Sequence, residues 1–121
     1  MAYLYILGTI VFTVYGQLMI KWRIVKFGAF PDLFNDKIIY LFKALFDPWI
    51  FSGFASAFIA SFFWMATMTK LELSHAYPFM GLSFVLVLFF STLFLGEDLS
   101  IYKMIGAFLI VLGIIIVSRG I

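Results

Sequence analysis

The stretch "VYGQLMIKWR", Val14 to Arg23, closes an apolar run with groups that can hold an anion. Gln17 and Lys21 lie four residues apart, on one face of a helix, and Arg23 and Lys26 follow. Arginine offers a planar fork and lysine a point charge, so the set suits a phosphate, with Gln17 donating to the same group. A second account needs no ligand, because lysine and arginine collect beside the cytoplasmic ends of membrane helices. Both readings stay open on these residues alone.

The remaining polar inventory excludes most other chemistry. Glu72, Glu97 and Asp98 stand at the edges of apolar runs, and no acid falls in the middle of one. Intramembrane acids are the usual carriers of proton or cation coupling. Here the interior offers Thr13, Gln17, small hydroxyls and aromatic rings. No nucleophile–base pair, metal-ligating cluster or phosphate-cradling glycine loop occurs, and zero cysteines leave no disulfide, thiol or cysteine–zinc chemistry. An enzyme, a metal site or a cofactor is therefore not expected. A net charge of +2 gives no reason to expect a nucleic acid partner.

The elements that position these residues are membrane spans. With 121 residues, 65% hydrophobic and 12% charged, a water-soluble domain could not cover its apolar surface. Four stretches reach the length of about 20 apolar residues that a bilayer requires: 3–20, 49–68, 76–95 and 101–117. The expected fold is an all-α membrane protein, one four-helix transmembrane domain over 1–121. The short links between the last three spans predict sequential antiparallel neighbours. A removable signal peptide is not expected, since Met1-Ala2-Tyr3 lacks a basic start.

The first link is longer and patterned. Phe34, Ile38, Leu41, Phe42 and Leu45 follow helical spacing, with Asp36, Lys37, Tyr40, Lys43 and Asp47 mainly opposite. This predicts an amphipathic helix over 32–47, stopped at Pro48 and lying at the membrane interface. A connector packed on the bundle fits the pattern equally well. Lysine and arginine counts, six on the side of the first and third links against two on the other, place those links in the cytoplasm. Lys103 then joins Lys21 and Arg23 on one side.

Inside the spans, Ser52, Ser56 and Ala60 form one small-residue row and Gly53, Ala57 and Ser61 another, which predicts close helix packing. Gly106 and Gly113 share a face and suit a seam, within one chain or between two. Pro78 removes a backbone donor and Gly81 weakens the next turn, so a bend is expected there, although a first-turn proline explains Pro78 as well. His75 reads as a solvated end residue. Tyr77 is either a headgroup anchor or a cavity donor, and Trp64 faces either a cavity or lipid and core.

"YGQLMIKW", together with the "AYPF", "LGE" and "LGIIIV" signatures of the last two spans, resembles the EamA-like, drug/metabolite transporter superfamily. The resemblance covers most of the chain outside the interfacial insert. It is nearest to the four-helix subunits that flip aminoarabinose-phosphoundecaprenol and related lipid-linked sugars, and is related to the small multidrug resistance exporters. Those exporters carry a glutamate three residues before a glycine matching Gly16; Thr13 stands there in this chain. The resemblance implies a bacterial inner-membrane, multi-pass transporter of an undecaprenyl-phosphate-linked sugar or related polyprenyl phosphate. Lys21, Arg23 and Lys103 would hold the phosphate, and Gln17, Trp64 and Tyr77 would line a polar route. It also implies a homodimer, or a heterodimer with a similar subunit, sealed through Gly106 and Gly113. The competing expectations are a small-molecule exporter that works without the glutamate, and a non-transporting subunit of an envelope glycosylation complex.

Overall fold

The computed structural model describes residues 2–119, and among them every regular element is helical. Helix α1 (Ala2–Ile24) ends in a 3₁₀ turn, Val25–Phe27, and Gly28 then takes a left-handed φ of 90°. It is followed by α2 (Phe34–Phe46), α3 (Pro48–Met68), the single turn α4 (Leu73–Ala76), a 3₁₀ turn Tyr77–Met80, α5 (Gly81–Phe94) and α6 (Ile101–Arg119). Four segments among the described residues are long and apolar enough to cross a membrane: Ala2–Phe27, Pro48–Met68, Leu73–Phe94 and Ile101–Arg119. The chain is an all-α, multi-pass membrane protein. The first helix runs past the expected end at Ile20, because Lys21 and Arg23 in its last turn suit the negative end of the helix dipole.

The tightest seam joins α1 to α3, which run antiparallel. A Cβ on Gly16 would lie 2.7 Å from the Gly53 carbonyl oxygen, and one on Gly53 would lie 2.7 Å from Ile20 Cγ1. Ser56 Oγ donates across the seam to the Phe12 carbonyl at 2.6 Å. Further along, Phe12 stacks on Phe63 at 5.5 Å, and a Cβ on Gly8 would meet the Phe63 ring at 2.6 Å. Gly53, Ser56 and Ala60 are buried here, so small residues set the approach where lipid gives helices no hydrophobic reason to associate.

The order of the bundle meets the sequential expectation for α5 and α6 and departs from it for α3 and α5. The link between α3 and α5 is short, yet α1 is the helix that packs on both, and α6 flanks α5. The reason is the small-residue seam, which binds α3 to α1 more closely than a short link can bind it to α5. The second face of α1 supplies Ile6, Ile10 and Val14 to a core with Ala76, closed by Leu82, Leu86 and Phe90.

The third span is interrupted at Tyr77–Met80, with Pro78 in the opening turn. Gly81 itself has ordinary helical geometry (φ −60°, ψ −24°), and its missing side chain has a different use. A Cβ there would lie 2.8 Å from Ile110 Cγ2, so glycine admits α6 to the start of α5. His75 is not a solvated end residue: it is 9% exposed, its Nε2 lies 3.1 Å from the Tyr3 hydroxyl, and Phe79 packs beside it. The start of α1 covers it, which the linear sequence conceals.

Among the described residues, nothing beyond the backbone of α6 itself lies within 4 Å of a Cβ added at Gly106 or Gly113. Alanine at either position is therefore expected to leave the melting temperature of the single chain in detergent unchanged or slightly raised, since alanine is the better helix former. Gly16→Ala, which drives a methyl into backbone, should lower its stability by about 1–3 kcal/mol.

Candidate functional site

The polar residues of α1 climb the helix in steps of four: Thr9, Thr13, Gln17 and Lys21. Thr9 and Thr13 line a shallow, wide-mouthed chamber of about 290 Å³ between α1, α3 and the 3₁₀ turn. Ala57, Ser61 and Trp64 line it from α3, and Tyr77 and Met80 line it from the turn. Trp64 and Tyr77 cross edge to face, with ring centroids 5.9 Å apart and planes at 81°. The Ser61 hydroxyl donates to the Phe58 carbonyl and the Thr9 hydroxyl to the Tyr5 carbonyl. Each hydroxyl thereby meets the need of its proton within its own helix and still presents acceptor lone pairs. The lining is mostly apolar, of aromatic rings, alanine methyls and a thioether, with a few hydroxyls and no charged side chain.

At the basic end the predicted phosphate ligands separate. Arg23 Nε donates to both oxygens of Asp47, at 3.0 and 3.1 Å, and the Asp47 side chain is 8% exposed. Asp47 also accepts from the N–H groups of Trp49 and Ile50, so it caps α3 while it holds α1. Pro48 in the first turn of α3 has no N–H to satisfy. Lys103 Nζ, in the first turn of α6, donates to the backbone carbonyl of Asp98 in the preceding link at 2.8 Å. Lys26 lies over the Trp22 ring at 4.1 Å. Lys21 is exposed and, with Trp22, Lys26 and half-buried Glu97, lines a hollow of about 310 Å³.

Of the residues named from the sequence, Trp64 and Tyr77 meet at the chamber. Gln17 is exposed on the ladder between chamber and basic edge, and Lys21 faces the hollow. Arg23 and Lys103 are engaged with Asp47 and Asp98. Sequence reasoning did not place Thr9 at the site and read Ser61 only as a packing residue. The four-residue interval from Thr9 to Thr13, and from Ala57 to Ser61, was the available signal. Asp47 was read as part of the polar side of α2, although an aspartate before proline is also the signature of a helix start.

The fold is thus a bundle of four membrane spans with an uncharged, mostly apolar hollow between α1, α3 and the 3₁₀ turn, and a separate basic edge further along α1. The chain matches the EamA-like transporter family over residues 1–119 and belongs to that family. Among similar curated proteins is the "Probable 4-amino-4-deoxy-L-arabinose-phosphoundecaprenol flippase subunit ArnE" of Aeromonas salmonicida, 28% identical over 103 residues, 85% of this chain and 84% of the relative. The corresponding "Probable" flippase subunit ArnF of Erwinia tasmaniensis is 28% identical over 120 residues, 97% and 94% of the two chains. No solved structure matches the chain.

Desolvation pushes the Asp47 carboxyl up, but Arg23 and the Trp49 and Ile50 N–H groups outweigh it and hold it below the ordinary value of 3.8. A lowered folded value stabilises the protein fully above the unfolded value, and this contribution disappears as pH falls through the folded one. Acid unfolding followed by circular dichroism should therefore show stability falling below about pH 3.8. Asp47→Asn should lose that part of the acid dependence and be less stable than the parent at pH 7.

Proposed function

We propose that this chain is one subunit of a bacterial inner-membrane transporter that moves an undecaprenyl-phosphate-linked sugar, or a related polyprenyl-phosphate lipid, across the bilayer. The observation that carries the reading is the lining of the chamber, where hydroxyls and two crossed aromatic rings meet without a charged side chain. A sugar ring offers apolar C–H faces to the rings of Trp64 and Tyr77 and hydroxyls to Thr13 and Ser61. Gln17 is the intermediate contact on the way to the basic edge. Lys21 and Lys26 receive the phosphate there, while Arg23 and Lys103 hold the edge in shape through Asp47 and Asp98. The excess of lysine and arginine puts this edge in the cytoplasm. No bond of the substrate is made or broken in this scheme.

The two relatives are named as flippase subunits, which favours pairing with a second copy or a similar subunit. The open face of α6 around Gly106 and Gly113 is the surface proposed for that partner. The 121 residues act as one domain in this assembly.

Transport of the lipid-linked sugar into reconstituted vesicles tests the reading. Lys21→Ala should reduce the rate by about tenfold or more, the scale of a lost charge-assisted hydrogen bond, and Trp64→Ala by up to about tenfold. Thr13→Glu should abolish transport, by setting a carboxylate in the path of an anionic lipid with no lysine beside it, whereas Glu97 shares its hollow with Lys21 and Lys26. Unchanged transport by both Lys21→Ala and Trp64→Ala would remove the assignment. Proton-coupled export of cationic drugs by the parent chain would replace it with the exporter reading.

A further inference from the structure

We infer that the groove beneath α2 holds the isoprenoid tail of a polyprenyl-phosphate lipid whose head group occupies the chamber. The inference rests on the function proposed above and says where the tail of that substrate goes. The groove has a volume of about 700 Å³, within the range of about 300–1,000 Å³ typical of ligand sites, and every side chain that lines it is hydrocarbon. Ile20 and Ile24 enter it from α1, Leu41 and Leu45 from α2, Ile50 and Phe54 from α3.

Helical register joins the groove to the chamber. On α3, Ile50 and Phe54 line the groove, while Ala57 and Ser61 line the chamber. These four recur at intervals of four, three and four residues, which is one face of a helix. On α1 the same side carries Thr9 and Thr13 at the chamber, then Gln17, then Ile20 and Ile24 at the groove. A single stripe thus passes from hydroxyl to carboxamide to hydrocarbon, and Lys21, one turn beyond Gln17, stands on its flank where the phosphate joining head and tail would lie. One lipid with its head in the chamber would have its tail directed along this stripe.

The insert is shaped for the same use. Leu41 and Phe42 of α2 remain 54% and 58% exposed, so the helix overhangs the groove instead of closing it. Asp36, Tyr40 and Lys43 occupy the opposite side of α2, away from the hydrocarbon. The Arg23–Asp47 pair and the buried Ala44 and Ile50 anchor the corner between α2 and α3, which keeps the overhang in place.

Photo-crosslinking tests this. The full chain in phospholipid vesicles is irradiated with a diazirine-bearing polyprenyl phosphate that carries no sugar, and the labelled peptides are mapped. Labelling should concentrate on residues 38–54, and unlabelled polyprenyl phosphate should compete while excess phospholipid does not. Ala44→Phe, which fills the groove, should cut that labelling, as should Phe42→Gln, which adds an amide at the rim of the groove without filling it. A reduction of about tenfold is expected from the cost of an amide facing hydrocarbon. Labelling unchanged in both variants, or spread equally over α6, would overturn the inference. Equal competition by phospholipid would also overturn it, in favour of an ordinary acyl chain. Because the probe lacks a sugar, labelling that survives when sugar-lipid transport is absent would sink the proposed function and support the tail site.

Discussion

Backbone contact between α1 and α3 at Gly16 and Gly53 is the constraint from which the rest of the architecture follows. The Gly16 position lies close enough to the Gly53 carbonyl that even one methyl group would collide with it. At that distance the Ser56 hydroxyl reaches the Phe12 carbonyl, and the ends of the helices fall into register with Arg23 against Asp47. Trp22 meets Trp49 edge to face at the same end. With one side of α1 fixed on α3, its Ile6–Ile10–Val14 side is available to α5. Thr13 and Ser61 then emerge beside the seam and face a common chamber.

Lipid also decides which polar groups this seam can carry. A charged side chain at the centre of a span costs about 2.5–3.5 kcal/mol on insertion scales. A hydroxyl avoids most of that penalty by donating to a carbonyl one turn back. Thr67 does so to Phe63, Thr92 to Leu88 and Thr9 to Tyr5. The interior can therefore be polar and neutral at once, while the charges gather where α1, α3 and α6 leave the apolar zone. Asp47 belongs to this boundary economy: one carboxylate caps α3, anchors Arg23 and fixes the corner from which α2 projects.

The proposed substrate reading and the proposed tail site draw on the same gradient. Their common element is α1, whose polar ladder starts in the chamber and whose last turns border both the hydrocarbon groove and the basic hollow. The α2 insert adds a roof over the hydrocarbon part without entering the membrane-spanning bundle. α6 contributes least to this route and keeps an apolar face with open glycines.

The helical membrane class and its four spans were legible in sequence because they depend on local quantities: apolar length, helical periodicity and the charges and turn formers that bound them. The small-residue rows of α3 announced close packing for the same reason, and the missing acid at Thr13 was visible directly. Tertiary structure decided which helix those rows would meet, and so placed α1, not α5, beside α3. It also decided the fates of chemically similar cations, since only folding brings Arg23 to Asp47, 24 residues away, and leaves Lys21 facing the hollow. His75 was misread because its partner, Tyr3, is 72 residues distant. Periodicity reports which residues share a face of one helix; the chamber is made where faces of different helices meet, and that depends on contacts no single segment encodes.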